Sequence, residues 1–284
     1  MTATYRYSEI FKSIQGEGVH TGIPSIFLRL WGCNFRCDGL SNPGGEPPPT
    51  DADEALSLNN LPVFTQGCDS RYSWSKEYLH LSIRDTAENL CDLIVRESDG
   101  GFSDSITGPR CHLIFTGGEP MLAQNALTAI LQAFWDHPDP PRFVTVESNG
   151  TQPLTGALQD IIRNRYADDN GEWLWSVSPK LGISGEAWHD AIKPDVVAGY
   201  AAASNAGQLK FVVDGGDACW DELETAARLY RNAGIDWKVW IMPVGATAAQ
   251  QEDIQEQVCR ETLRRGYNFC PRVHSWIFGN KIGT

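Results

Sequence analysis

The sequence is short of positive charge and of long apolar runs, and no segment of it repeats another. Lys and Arg number 23 against 36 Asp and Glu, for a net charge of -13. A protein that grips nucleic acid through its phosphates carries the opposite balance, so direct nucleic-acid binding is not expected. Acidity of this size favours solubility and says little about fold. No run reaches the length of a bilayer span, so no membrane partner is expected. The segment Met1-Thr2-Ala3-Thr4-Tyr5-Arg6 lacks the apolar centre of a secretory signal. The expectation is a cytoplasmic protein whose thiols stay reduced.

Thiols are what the sequence has in number. Of the eight cysteines, Cys91 and Cys259 fall in helical patterns and Cys111 and Cys270 beside strand patterns. A reduced cysteine there serves as a small apolar residue. Cys219 carries no signal. Cys33 and Cys37 differ: they sit in Trp31-Gly32-Cys33-Asn34-Phe35-Arg36-Cys37, a loop leaving an apolar strand. Cys68 follows later, in Gln66-Gly67-Cys68-Asp69-Ser70. Three thiolates can hold three irons of a [4Fe-4S] cluster and leave the fourth open to another ligand, an arrangement for chemistry rather than electron storage. They can also hold zinc, given a fourth ligand, and His80 is the nearby histidine after Cys68. Between Cys37 and Cys68, the stretch 38–66 carries Pro43, Gly44, Gly45, Pro47, Pro48 and Pro49, then Asp51, Asp53 and Glu54. That is loop composition with a solvated acidic end.

Strand-like runs at Ile26–Trp31, 112–115, 143–146, Trp173–Val177, Leu209–Val213 and Trp237–Met242 alternate with helical patterns. The helices are expected at Ser82–Ser98, Met121–Trp135, 154–165, Cys219–Asn232 and Thr247–Arg265. In the first of these, Ile83, Ala87, Leu90 and Ile94 recur at helical spacing, and Ser82 with Asp85 resembles a capping box. The stretch 186–203 is less regular. Repeated strand–helix units imply a parallel sheet with helical cover. Six units are too few for a closed eight-fold barrel. An open, six-stranded (β/α)6 partial barrel is expected, with a doubly wound sheet as the alternative. It forms a single domain over 1–284 with a loop insertion at about 38–66.

In such α/β folds, sites form at the carboxyl ends of the strands. Here every strand ends in small or polar residues: Gly32-Cys33, Thr116-Gly117-Gly118-Glu119-Pro120, Glu147-Ser148-Asn149-Gly150, Ser178-Pro179-Lys180, Asp214-Gly215-Gly216 and Pro243-Val244-Gly245. Turn chemistry explains part of this. Agreement at all six ends points to a broad ligand site. Gly117-Gly118 bares backbone, Pro120 suits a helix start, and Glu119 is placed to receive an ammonium group.

With Cys33-x3-Cys37, Cys68 and Gly117-Gly118-Glu119-Pro120, the chain resembles the radical S-adenosylmethionine (SAM) superfamily. Over most of its length it is similar to the 7-carboxy-7-deazaguanine synthase family within it. That likeness rests on Phe11-Lys12-Ser13-Ile14-Gln15-Gly16-Glu17-Gly18, the strand with Arg29, and Cys68-Asp69-Ser70-Arg71-Tyr72-Ser73-Trp74. It extends to Glu147-Ser148-Asn149-Gly150-Thr151, Val177-Ser178-Pro179-Lys180 and His274. The resemblance implies a [4Fe-4S] cluster on Cys33, Cys37 and Cys68, with SAM on the open iron. SAM would be held by Gly118, by Gly67, Cys68 and Asp69, by Ser178, Pro179 and Lys180, and by Met242, Pro243, Val244 and Gly245. It implies reductive cleavage of SAM to methionine and a 5'-deoxyadenosyl radical. Hydrogen abstraction from 6-carboxy-5,6,7,8-tetrahydropterin, ring contraction with loss of ammonia, and return of SAM would follow. The product, 7-carboxy-7-deazaguanine, belongs to queuosine-type 7-deazapurine biosynthesis.

By the same resemblance, substrate contacts fall to Ile14, Gln15, Gly16, Glu17, Arg29 and Thr116, and to the carboxylate of Thr284. Mg2+ falls to Ser70, where the family commonly has Thr, and His274 stands as a candidate catalytic residue. Arg29 can meet a carboxylate with two parallel bonds. A reductant such as flavodoxin or ferredoxin and a homodimer are implied as well. Plainer readings stand beside these: a simple salt bridge for Glu17, a structural histidine on a strand for His274, a surface lysine for Lys180. The displacement of Cys68 alone favours a non-catalytic iron–sulfur or zinc protein on the same fold. Gln15-Gly16-Glu17-Gly18 and Arg29 count against an activase of glycyl-radical enzymes.

Overall fold

The central strands bury apolar side chains on one face and set polar side chains among apolar ones on the other. In the computed structural model, which describes residues 2–42, 44, 55–99, 101–104, 106, 108–166, 171–204 and 206–284, nine strands form one sheet. β1 (Tyr5–Ile14) pairs antiparallel with β2 (Pro24–Leu30), and β3 (Ile83–Asp85) pairs antiparallel with β1. There follow α1 (Ala87–Glu97) and a small separate ribbon, β4 (Ser103–Asp104) with β5 (Gly108–Pro109). The alternation then runs β6 (His112–Gly117), α2 (Gln124–Ala133), β7 (Phe143–Ser148), α3 (Gly156–Arg165), β8 (Glu172–Val177), α4 (Trp188–Ala191) and α5 (Pro194–Ala203). It ends with β9 (Gly207–Val213), α6 (Asp217–Asn232), β10 (Lys238–Pro243), α7 (Ala248–Arg264), β11 (Asn268–Phe269) and α8 (Val273–Phe278).

The spatial order is β11-β10-β9-β8-β7-β6-β2-β1-β3. From β2 to β11 all neighbours are parallel. The sheet is not closed, since β11 and β3 are its edges. The six strands legible in the sequence are β2 and β6 to β10, and they stand side by side in that order. The sheet exceeds the expected count because β1, β3 and β11 join it. β1 does not alternate cleanly (Ser8 is buried), and β3 and β11 are too short for a pattern.

Other boundaries move for local reasons. Ile83–Asp85 is drawn into the sheet, so Ser82 and Asp85 form no capping box. Helix α1 starts under Thr86, whose side chain accepts the Asn89 N–H at 3.2 Å. The helix expected from Met121 opens as a 3-10 turn, Pro120–Ala123. The less regular stretch 186–203 holds α4 and α5. A true capping box, Thr247 with Gln250, starts α7.

Val144 and Val146 of β7, Trp173, Trp175 and Val177 of β8, and Leu209, Phe211 and Val213 of β9 join the core with the helices. Trp175 stacks on Tyr200 of α5 at a centroid distance of 4.3 Å. Each large apolar side chain fully buried here contributes about 1.5–3 kcal/mol. The alternate residues, Glu147, Ser176, Gln208 and Lys210, point to the other face, as a period of two requires. That face is concave. The turn between β1 and β2 reaches across it to β9, where the Val19 N–H donates to Gln208 Oε1 at 2.9 Å. The Val273 N–H donates to the Gly16 carbonyl at 3.0 Å on the same side.

Within the insertion, Pro43, Gly45, Pro47, Pro48, Pro49, Asp51, Asp53 and Glu54 lie outside the described residues. The described part packs Phe64 against Tyr72 and Tyr78, in a cluster with Leu58, Leu61, Trp31 and Ile282. All eight cysteines are free; Cys91, Cys111, Cys219 and Cys270 are buried and Cys259 is half-buried.

Candidate active site

The concave face and the carboxyl ends of the parallel strands enclose a cavity of about 270 Å³. The residues expected at the site line it except Glu119 and Pro179, the latter buried between two lining residues, Ser178 and Lys180.

Cys33 lies just past β2, after Trp31 and Gly32. Cys37 takes a left-handed backbone, φ 54°. The carboxylate of Glu186 holds that turn: its Oε1 accepts the N–H of Arg36 at 2.8 Å and of Cys37 at 2.7 Å. The insertion closes at its base, where the Gly67 N–H donates to the Leu40 carbonyl at 2.7 Å. This returns Cys68 to the other two, and all three cysteines pack about Phe35 and Ala191. Trp74 Nε1 donates to Cys68 Sγ at 3.3 Å. Burial pushes the Cys33 thiol up to about 12 and raises Cys37 and Cys68 as well, while the charge of Lys180 pulls all three down. Among the described residues no three His, Cys, Asp or Glu side chains converge on a point where one metal ion would sit. His80 is engaged elsewhere, with Glu77 and Ala55 carbonyls at 3.0 and 3.1 Å. His80 therefore does not supply the fourth ligand of the zinc alternative.

At the end of β6, Gly117 has φ 143°. A Cβ on Gly118 would lie 2.7 Å from the Cβ of Cys33 and closer still to the Gly32 carbonyl. Only bare backbone lets this ledge meet the cysteine loop, and the Glu119 N–H bonds Gly32 O at 2.7 Å. Glu119 itself corrects the expectation of an ammonium receptor. It does not line the cavity, and its carboxylate is filled by Met121 N–H at 3.0 Å, Ser148 Oγ at 2.8 Å and Asn149 N–H at 2.6 Å. Burial raises its carboxyl to about 6, against the pull of those donors and of Lys180.

The floor is a network of opposite charges. Gln15 Nε2 donates to Glu147 Oε1 at 3.1 Å and Thr116 Oγ1 to Glu147 Oε2 at 2.9 Å. Glu17 pairs with Lys210 of β9 and, at 2.9 Å, with Arg272 Nε. Arg272 Nη2 meets Asp69 Oδ2 at 2.7 Å. Burial opposes ionisation of Glu17, but Lys210, Arg272 and His274 outweigh it and hold the carboxyl well below its usual range. Gly16 backs directly onto the His274 ring, where a Cβ would be 2.7 Å from Cγ. His274 stands on α8, not on a strand, because the chain turns helical after Arg272. Burial and then the Arg272 charge lower its pKa, against Glu17, Asp69 and Glu147.

On the wall, Arg29 Nε bonds Glu9 Oε1 at 2.7 Å, the oxygen that also accepts Tyr72 OH at 2.6 Å. Arg29 Nη1 reaches Ser70 Oγ at 3.4 Å. Lys180 Nζ bonds Ser178 Oγ at 3.2 Å. Gln251 Nε2 holds the loop at the end of β10 through Pro243 O at 3.0 Å and Gly245 O at 3.2 Å. Thr284 lines the rim, its Oγ1 donating to Lys281 O at 2.6 Å.

Glu9, Glu147, Lys210 and Arg272 escape sequence reasoning as site residues. Lys210 has a signal, a charge inside the apolar run Leu209-Lys210-Phe211-Val212-Val213. Glu147 has one at a strand end, and Arg272 has none. Together the cavity offers three thiols, a bare backbone ledge, cations on its wall and polar groups on its floor. That set can hold an iron–sulfur cluster and a polar, anionic heterocycle.

No protein-family model matches the chain. It is 31% identical over 299 residues to the 7-carboxy-7-deazaguanine synthase of Halobacterium salinarum, across 98% of this chain and 91% of that one. It is 28% identical to that of Rhodopirellula baltica, across 98% and 88%, and 26% identical to that of Pyrobaculum aerophilum, across 99% and 98%. Its fold is similar to the crystal structure of QueE from Escherichia coli, with a TM-score of 0.55 and 19% identity over 95% of each chain.

Proposed function

The chain belongs to the 7-carboxy-7-deazaguanine synthase family, and from that premise we infer that its cavity converts 6-carboxy-5,6,7,8-tetrahydropterin to 7-carboxy-7-deazaguanine and ammonia. It is a radical SAM lyase of 7-deazapurine biosynthesis. The observation that carries the assignment is the meeting of Cys33, Cys37 and Cys68 with Gly118 and the charged floor in one cavity. We read β2 and β6 to β10 as its six-stranded partial barrel, in one domain with the insertion at 38–66.

Cys33, Cys37 and Cys68 would hold the [4Fe-4S] cluster. The donor set fits in kind: the three thiols share one pocket. When bound, the cluster and SAM supply an electron and a hydrogen-abstracting radical. Gly118 offers its bare backbone to the methionyl end of SAM. Gly67 and Asp69, Ser178 and Lys180, and the loop Met242–Gly245 line the wall where the remainder would lie. Pro179 would act by fixing Ser178 and Lys180 rather than by contact. Lys180 also stabilises the thiolates that ligation requires.

Arg29 receives the substrate carboxylate. Ile14, Gln15 and Gly16 offer backbone and amide groups to the pterin edge. Glu17, Glu147 and Thr116 present oxygens at fixed positions because each is held by a partner. His274 offers an imidazole, its ring nitrogens accepting or donating according to tautomer. Ser70 Oγ, beside Asp69, would give Mg2+ an oxygen ligand. Thr284, on the rim, would close the substrate edge. A flavodoxin- or ferredoxin-like reductant and a homodimer complete the proposal. No helix among the described residues is long and apolar enough to cross a membrane.

The test is anaerobic reconstitution with iron and sulfide, then incubation with SAM, dithionite and the carboxytetrahydropterin. Mass spectrometry should find 7-carboxy-7-deazaguanine. Its absence despite a formed cluster would overturn the assignment.

A further inference from the structure

We propose that Arg272 is a positioning residue that ties the third cysteine's segment to the substrate floor. One guanidinium makes all the connections. Its Nη2 meets Asp69 Oδ2 at 2.7 Å, next to Cys68. Its Nε meets Glu17 Oε1 at 2.9 Å, on the floor. Its Nη1 donates to the carbonyls of Gly245 at 3.0 Å and Ala246 at 3.4 Å, in the loop after β10. Three segments distant in the chain thus take their spacing from one buried side chain, which is 9% exposed.

The insertion makes such a tie necessary. Cys33 and Cys37 share one short turn, held by Glu186. Cys68 comes back from a long excursion, and its placement needs contacts of its own. The backbone bond from Gly67 to Leu40 fixes its height in the loop. Arg272 fixes Asp69 on the other side. A planar, five-donor fork can reach two carboxylates and two carbonyls at once, which an ammonium cannot. The same fork sets Glu17, so the place of the third iron ligand and that of the substrate are mechanically joined. This inference rests on the synthase assignment for the substrate half, while the cysteine half stands without it.

Iron and sulfide bound per chain after anaerobic reconstitution, and KM for the pterin, are the readouts. Arg272→Met takes away the ion-pair partner of Asp69 and leaves Glu17 to Lys210, and iron uptake should fall by at least about fivefold. Misplacement of the floor should raise KM by about tenfold in the chains that do load. Arg272→Lys keeps the charge and loses the fork; it should recover melting temperature but not iron uptake. Should Arg272→Met fail to fold, Asp69→Asn cuts one arm only: iron uptake should fall while KM stays near the wild-type value, since Glu17 is still held. Wild-type iron content with wild-type KM in folded Arg272→Lys, or wild-type iron content in Asp69→Asn, overturns the role of Arg272. Product formation by the wild-type chain is a separate measurement, and its absence strikes the synthase assignment instead, leaving iron uptake to decide on Arg272.

Discussion

The backbone N–H of Gly67 donates to the carbonyl of Leu40 at 2.7 Å, joining the two ends of the insertion. Leu40, just after Cys37, and Gly67, just before Cys68, are therefore held side by side. The entropy of closing the loop between them rises by only about 0.6 kcal/mol per doubling of its length. One strong closing bond and the packing of Phe64 on Tyr72 and Tyr78 suffice to offset an increment of that size.

From this closure we expect Cys68 to ligate iron as Cys33 and Cys37 do. Cys68→Ala should abolish formation of 5'-deoxyadenosine from SAM under dithionite, measured without substrate by chromatography. Full cleavage by the variant would show that Cys68 is no ligand.

The contact of Gly118 with the cysteine loop predicts an unusually sharp effect from one methyl group. Gly118→Ala must push the ledge away from Gly32 and Cys33, since neither backbone can yield cheaply. SAM affinity should fall by about tenfold or more, read by equilibrium dialysis on the reconstituted protein, with iron content less affected. An unchanged dissociation constant would mean that SAM does not lie on this ledge.

Glu119 gives a pH signature. Burial raises its carboxyl from 4.5 to about 6, so the folded protein binds this proton more tightly than the unfolded chain. The resulting stabilisation is fully present below pH 4.5 and is lost as pH rises through 6, a change of about 2 kcal/mol. Glu119→Gln removes the titration. The stability of the wild type relative to this variant should therefore decline between pH 4 and 7 in urea unfolding. A constant difference would mean that Glu119 does not titrate in that window. Glu119→Ala, which orphans the donors of Met121, Asn149 and Ser148, should cost about 3 kcal/mol or more at any pH.

Much of this architecture is legible in the sequence, and the missing parts share a cause. The parallel strands announce themselves because Val144, Trp175 and Phe211 belong to apolar runs that a helical layer must cover. The ends of those strands disclose the ledge, the Ser178–Lys180 turn and the loop after β10. What stays hidden depends on partners far away in the chain. Strand β3 looks like the start of α1 until β1 claims it. Glu119 looks like a free carboxylate until Asn149 and Ser148 arrive from the next strand. Arg272 looks like any arginine after a proline until Glu17 and Asp69 converge on it. Local pattern reports which residues are buried or turned, whereas charge pairing across the concave face is a property of curvature.

Arg29 and Glu9 illustrate that second kind, and they give opposite predictions for two neighbouring substitutions. Burial disfavours the Arg29 charge, but Tyr72 and Glu9, with Glu147 beyond, more than restore it. Glu9 takes the Nε side, and Nη1 makes only a long contact to Ser70, so the terminal nitrogens remain for a carboxylate. Arg29→Lys loses the two-pronged bond and should raise KM for the pterin by about tenfold. Glu9→Gln keeps a hydrogen-bond acceptor but removes the counter-charge. The fold should weaken by about 3 kcal/mol, because a buried cation is left uncompensated. The pterin carboxylate then supplies the missing charge, so KM should stay level or fall, and substrate should raise the melting temperature more than in the wild type. A rise in KM for Glu9→Gln matching that of Arg29→Lys would place the carboxylate elsewhere than on Arg29.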